Sequence, residues 1–216
     1  MTEQIKKTIE NLKKNNINAV YIEKKQDIKD YIEQLLPLNC SVTSGGSQTM
    51  VETGVSDLIK SDRYNFIDRF KKTESQAEKD EITAKIFTAD YFFASCNAVT
   101  ENGEIVNVDG TSNRVAAIMY GPKKVYLIVG SNKIVKDIDE GFLRIKKIAA
   151  PKNTVRLNCA TYCREKGECV ALQKDSFGIA DGCGSNQRIC CNYTVNAHQS
   201  VKDRINVIIC GDSLGY

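Results

Sequence analysis

Thr111 to Val135 reads TSNRVAAIMYGPKKVYLIVGSNKIV, and the fold class follows from it. Thr111 or Ser112 can open a helix that Gly121 closes, and KVYLIVG, residues 124–130, is the β-branched and aromatic run of a buried strand. A helix that feeds a strand through a glycine stop is half of a βα repeat, and the same rhythm extends in both directions. Upstream, EQIKKTIENLKKNN spaces Ile5, Ile9 and Leu12 as one helix face, and NAVYIE follows as a strand. Asp27 then precedes a helix with Ile28, Tyr31, Ile32 and Leu35 on one face, stopped by Pro37, and a short strand is expected over 40–43. An amphipathic helix is expected over 74–87. ADYFFASCNAV then reads as one buried strand leading through the hairpin turn Glu101-Asn102-Gly103 to the return strand EIVNV. Downstream, a last helix is expected over 134–148, ending before Ala150-Pro151. A cysteine-rich loop follows, and INVIICG supplies the final strand. Strands alternating with helices predict an α/β fold with a mainly parallel sheet covered on both faces.

The chain has 216 residues, enough for one substantial core, and is read as a single α/β domain over 1–216 with a cysteine-rich segment, 159–191, within it. Thirty basic residues against 27 acidic ones give a net charge of +3. That balance does not call for nucleic acid or an anionic membrane as partner. No apolar run approaches the ~20 residues of a membrane span. The opening MTEQIKKTIENLKKNN lacks an apolar signal core, so a reducing, cytoplasmic setting is expected.

Two turns are candidates for holding a small anion. In SGGSQT, Gly45 and Gly46 make a tight turn and Ser47 can cap a helix that begins near Gln48 and Thr49. In DGTSNR, Gly110, Thr111, Asn113 and Arg114 form a second such turn. Both follow predicted parallel strands, and their loops would converge where open α/β sheets bind ligands. Arg114 is placed either on a ligand carboxylate or in an ion pair within the fold. Glu101 is either a carboxylate tuned for nucleophilic or acid–base work or a polar residue beside an Asn-Gly turn. His198 is the chain's one histidine, which excludes zinc centres built on two imidazoles.

Nine cysteines are present, and Cys159, Cys163, Cys169, Cys183, Cys190 and Cys191 crowd into the segment 159–191. An odd total in a reducing setting argues against a disulfide framework and for thiolate ligation. The spacing, C-x3-C-x5-C-x13-C-x6-C followed directly by Cys191, matches neither paired C-x2-C knuckles nor a ferredoxin run, so spacing alone leaves the metal and the ligand set open. Reduced structural or redox-sensitive thiols are the competing reading. Cys40, Cys96 and Cys210 lie in apolar runs, where a thiol acts as a small hydrophobe.

SGGSQTMVETG, SNRVAA with the downstream VGSNKIV, the Arg188-Ile189-Cys190 triplet and the terminal GDSLGY together resemble the LUD-domain family, the lactate utilization proteins, over nearly the whole chain. The resemblance implies a three-layer α/β sandwich similar to the sugar-phosphate isomerase and CoA-transferase-like superfamily. It implies a role in oxidative lactate use beside iron–sulfur subunits of a lactate-oxidising complex; the two glycine turns are expected to bind a small carboxylate or nucleotide, and the alternatives are a CoA-transferase-like or isomerase-like enzyme using Glu101 or a non-catalytic assembly subunit. The family's C-terminal cysteines look like C-x5-C-x2-C-x6-C. Cys163, Cys169, Cys183 and Cys190 fall on those positions as ligands of an iron–sulfur cluster, such as a 4Fe-4S centre, or of zinc. Eleven extra residues separate Cys169 from Cys183. The Glu101 hairpin resembles the segment that carries the nucleophilic glutamate of CoA-transferases.

Overall fold

The computed structural model describes all 216 residues. Six strands, β1 (Asn18–Ile22), β2 (Ser41–Ser44), β3 (Asn65–Phe66), β4 (Tyr91–Ala94), β7 (Lys124–Gly130) and β10 (Ile205–Cys210), form one parallel sheet in the order β1-β10-β7-β4-β2-β3. The remaining four, β5 (Ala98–Thr100), β6 (Ile105–Asp109), β8 (Ile134–Val135) and β9 (Asn192–Asn196), make a smaller sheet in the order β8-β5-β6-β9. Side chains alternate across a strand, so neighbours in sequence serve opposite layers. Phe92, Leu127 and Val207 pack with Ile5 and Leu12 of the helix Glu3–Lys14 on one face. Phe93, Ile128 and Ile208 pack with Ile28 and Ile32 of the helix Asp27–Leu35 on the other. This is the expected α/β sandwich with helices on both faces of a parallel sheet, and burying each such side chain contributes ~1.5–3 kcal/mol.

Lateral order in the large sheet is reinforced by Asp90, just before β4. Its carboxylate accepts from Ser41 N at 2.9 Å, Ser41 Oγ at 2.7 Å and Lys123 Nζ at 2.8 Å. Lys123 first, and then the Ser41 donors, hold the Asp90 carboxyl down to about 2. A depressed carboxyl stabilises the fold above its unfolded value, about 3.9, and that contribution is lost as the pH falls through about 2. Asp90→Asn is therefore expected to lower the thermal midpoint at pH 7, with the gap to wild type closing as melting is followed down toward pH 2.

The structure corrects the sequence reading at four places. ADYFFASCNAV is not one strand. β4 ends at Ala94, the chain breaks at Ser95-Cys96-Asn97, and β5 resumes in the other sheet. An apolar run buried on both sides carries no period that would reveal such a break. The expected helix over 134–148 instead begins with β8 and then runs Ile138–Arg144, a π-turn Ile145–Ala149 and Ala150–Arg156, passing through Pro151. Pro151 is tolerated because it sits at the start of the segment after the π-turn, where its missing N–H costs little. The helix Gln76–Thr88 has no fully buried residue and meets the core only near its end, through partly buried Ile86, so it lacks the continuous core face expected of an amphipathic helix. Finally, β9 lies inside the stretch read as loop and pairs antiparallel with β6.

Candidate functional site

The two glycine turns do converge, although only the first follows a strand of the parallel sheet; the second follows β6, which is antiparallel to both neighbours in the smaller sheet, so the expectation of two parallel strand ends is corrected. The turns line a cavity of about 300 Å³ at the carboxyl ends of β2, β4 and β7, with Gly46, Ser47, Gln48, Thr49, Gly110, Thr111, Asn113 and Arg114 all on its wall. That volume lies at the lower end of small-molecule sites. Ser47 caps the short helix Gln48–Glu52 as its type suggests, accepting from Met50 N at 3.4 Å. Gly45 stays off the wall and has a different use. A Cβ there would meet Arg114 Cγ and Cδ at 3.1 Å, so the missing side chain is what lets the arginine pass.

Arg114 is committed to the fold. Its Nη1 donates to Ser95 O at 2.9 Å and Asn107 Oδ1 at 2.7 Å, its Nη2 to Asn97 Oδ1 at 3.0 Å and Val108 O at 2.7 Å, and its Nε lies 3.5 Å from Asp109 Oδ2. A guanidinium has five N–H donors; the four on Nη1 and Nη2 are all taken by the fold, and the fifth, on Nε, faces the Asp109 carboxylate. Of the two roles open to it in sequence, the geometry selects the internal one: Arg114 ties the β4–β5 break to β6 and thereby shapes the cavity.

Sequence reasoning overlooked Lys133, in the 3-10 turn Ser131–Lys133 after β7. It is 3 % exposed, and its Nζ donates to Thr49 Oγ1 at 3.0 Å and Ser95 Oγ at 2.9 Å. Burial pulls its pKa down to about 8. Nearer the rim stand Arg69, Phe70, Arg156, Asn153 and Tyr216. Arg156 Nε reaches Tyr216 Oη at 2.7 Å and Asn153 Oδ1 at 3.0 Å. The only sequence signal for Lys133 was its place in VGSNKIV, directly after a strand end.

Glu101 is outside this cavity. Its carboxylate takes Lys7 Nζ at 2.8 Å and Gln4 Nε2 at 3.0 Å, and Lys7 above all holds its pKa below the usual carboxylate range. The hairpin thus serves as a clasp for the first helix. Glu101→Gln is expected to leave ligand binding in the cavity unchanged in a calorimetric titration, and a large loss of affinity would restore the carboxylate to the site.

The cysteines separate into groups that spacing could not distinguish. Cys163, Cys169, Cys183 and Cys190 line one small cavity of about 10 Å³ together with Lys146, Ala150 and Val170. Cys159 and Cys191 do not line it, and Cys191 is exposed. The long Cys169–Cys183 insertion folds back because buried Lys146 donates to Asp181 O at 2.5 Å and Ile179 O at 3.4 Å, while Arg188 Nη2 donates to Ala180 O at 3.1 Å. The carbonyl of Lys146 also accepts from Cys169 N at 3.1 Å. Arg188 Nε lies 3.2 Å from Cys190 Sγ, and the hydroxyls of Thr161 and Thr154 lie 3.5 and 3.6 Å from Cys163 Sγ. Burial pushes the Cys169 thiol up. All nine cysteines are free, and no three His, Cys, Asp or Glu side chains stand where they could hold a single metal ion. Elsewhere, Cys96 and Cys210 are buried in the two cores of the large sheet, as expected of small hydrophobes.

No helix is long and apolar enough to cross a membrane. No curated protein matches the sequence. Among solved structures, the chain is similar to the crystal structure of a DUF162 family protein from Deinococcus radiodurans, with a TM-score of 0.54 and 12 % identity over 96 % of each chain. At that identity the likeness speaks for the fold alone. The sequence itself matches the LUD domain over residues 5–210, and the chain therefore belongs to the LUD-domain family.

Proposed function

We propose that this LUD-domain protein is a redox-associated subunit of the lactate-utilization type. It holds an iron–sulfur cluster on Cys163, Cys169, Cys183 and Cys190 and binds a small carboxylate or nucleotide between its two glycine turns, working beside the iron–sulfur subunits of a lactate-oxidising complex. The observation that carries this reading is the gathering of those four sulfurs on one cavity, with Lys146 in its wall and Arg188 on Cys190. Thiolates carry negative charge, and two cations with no carboxylate on the cavity wall are the complement such a donor set needs. The hydrogen bond that Arg188 donates to Cys190 Sγ, and the Thr161 hydroxyl 3.5 Å from Cys163 Sγ, are the kind of contact that tunes a cluster's potential.

The donor set matches the group in type and number: four sulfurs line one cavity, the count that a 4Fe-4S cluster takes and that a tetrahedral zinc ion takes as well. The cavity between them is only about 10 Å³, and Cys183, the one member of the set that is not buried and the one flanked by Gly182 and Gly184, is the ligand that would have to shift outward to admit a cluster. When bound, the cluster would supply one-electron transfer. Anaerobic purification with iron and sulfide analysis, visible absorption and EPR tests the reading. Stoichiometric iron with a reducible signal is expected, zinc in its place would replace the cluster by a structural site, and protein free of both metals would end it.

A further inference from the structure

The cavity between the glycine turns contains a buried cation without a counter-charge. Lys133 Nζ has three donors, and the fold gives it two neutral hydroxyls, Thr49 Oγ1 at 3.0 Å and Ser95 Oγ at 2.9 Å. No protein carboxylate stands at ion-pair distance from it. Among the groups that face it, Arg144 and Arg114 oppose its charge, while Cys96 and Glu52 favour it. Glu52 is occupied elsewhere, its Oε2 accepting from Gly215 N at 2.8 Å. Of the charged side chains on the wall, Arg69, Arg114, Lys133 and Arg156 are cationic and Asp109 alone is anionic, and Asp109 pairs with Arg114. Buried charges are ordinarily paired, since an ammonium taken from water without a partner is costly. Here the partner is not in the chain.

We propose that Lys133 anchors the ligand of this cavity and that the ligand is a compact oxyanion, a carboxylate or a phosphate, whose oxygen completes the ammonium's donors between Thr49 and Ser95. The arrangement also orients the group. The Thr49 hydroxyl accepts from Lys133 and so turns its own hydrogen away from it, where it can donate to a second oxygen of the same anion, while Ser95 Oγ accepts from Lys133 and donates to Cys96 O at 3.3 Å. Thr49 follows β2 and Ser95 follows β4, so the anchor joins the carboxyl ends of neighbouring parallel strands. This inference rests on the cavity being the ligand site and is independent of any cluster on the cysteines.

A purely structural lysine and an anion anchor differ in their pH dependence. Only the ammonium binds the anion, and in the free protein Lys133 gives up its proton around pH 8. Above that value binding requires proton uptake, and affinity falls tenfold per unit, about thirtyfold between pH 7 and pH 9.5. The arginines on the wall do not titrate in this range. The experiment titrates the full chain with pyruvate and, separately, with inorganic phosphate at both pH values, by calorimetry and by amide shifts at Ser47 and Thr111. Wild type, Lys133→Met and Lys133→Arg are compared, with cooperative melting as the control for folding.

The expected result is that one of the two anions binds wild type with the thirtyfold loss, that Lys133→Met loses binding at least tenfold, and that Lys133→Arg retains binding without the pH dependence. Preference for pyruvate identifies a carboxylate and preference for phosphate the other oxyanion. Binding that Lys133→Met leaves intact, or affinity that is flat with pH in wild type, overturns Lys133 as the anchor while leaving the cavity as a ligand site. Absence of binding by both anions, with silent amides at Ser47 and Thr111, overturns the oxyanion and the cavity together.

Discussion

Arg114→Met is expected to destabilise the protein by about 3–5 kcal/mol, read as a fall in thermal midpoint on the order of 10 °C. The substitution keeps most of the side-chain length but removes the donor from four acceptors, Ser95 O, Asn107 Oδ1, Asn97 Oδ1 and Val108 O, and the ion-pair partner from Asp109, leaving Asn97 and Asp109 only the backbone N–H groups of Val108 and Val115. Asn107 is wholly buried and Asp109 side-chain exposure is 16 %, so water cannot readily replace the guanidinium. Removing one member of a buried charged network costs more than the pair was worth, because the partner charge remains desolvated. Arg114→Lys keeps the charge but has three donors in place of five and no planar fork, so it should fall between the two. Gly45→Ala probes the same contact from the other side, since its Cβ would press on the arginine stem. Denaturant unfolding is the measurement, and an Arg114→Met protein within 1 kcal/mol of wild type would mean that the loops around the cavity hold themselves.

The second large effect concerns iron. If Cys163, Cys169, Cys183 and Cys190 are the ligands, replacing any one of them with serine should strip most of the bound iron and the visible absorption, because a cluster held by three thiolates becomes labile. Cys159→Ser and Cys191→Ser should keep both, because neither sulfur lines the cavity. The contrast between Cys190 and Cys191 is the sharpest part. They are adjacent in the chain, yet Cys190 is 8 % exposed and bonded by Arg188 Nε, whereas Cys191 is exposed and directs its sulfur to Arg188 O at 3.2 Å. Iron analysis of the anaerobically prepared variants decides. Equal loss from Cys191→Ser would overturn this ligand set, as would full iron in Cys169→Ser.

The pattern of what could be read in advance has a physical basis. KVYLIVG and INVIICG announce themselves because β-branched runs suit a pleated, buried surface, and β7 and β10 are neighbours in the sheet. Ser47 was legible as a cap because capping is a contact over three residues. The break at Ser95-Cys96-Asn97 was not legible, because the side chain that holds it, Arg114, comes 17 to 19 positions later in the chain and donates to Ser95 O and Asn97 Oδ1. β9 was missed for a similar reason. NYTVN is a short strand with one buried residue, and only its partner β6 makes it one.

By itself, then, the sequence determined the order of helices and strands, the α/β class, and which residue types were available for chemistry, because periodicity, capping and turn preference are local properties. The tertiary structure alone decided which of those residues meet. It separated Cys163, Cys169, Cys183 and Cys190 from their neighbours, turned Arg114 inward, left Glu101 as a clasp, and set Lys133 between Thr49 and Ser95. Burial and charge pairing are properties of groups far apart in the chain, and an unpaired ammonium in a cavity has no signature along the sequence until residues 49, 95 and 133 are in one place.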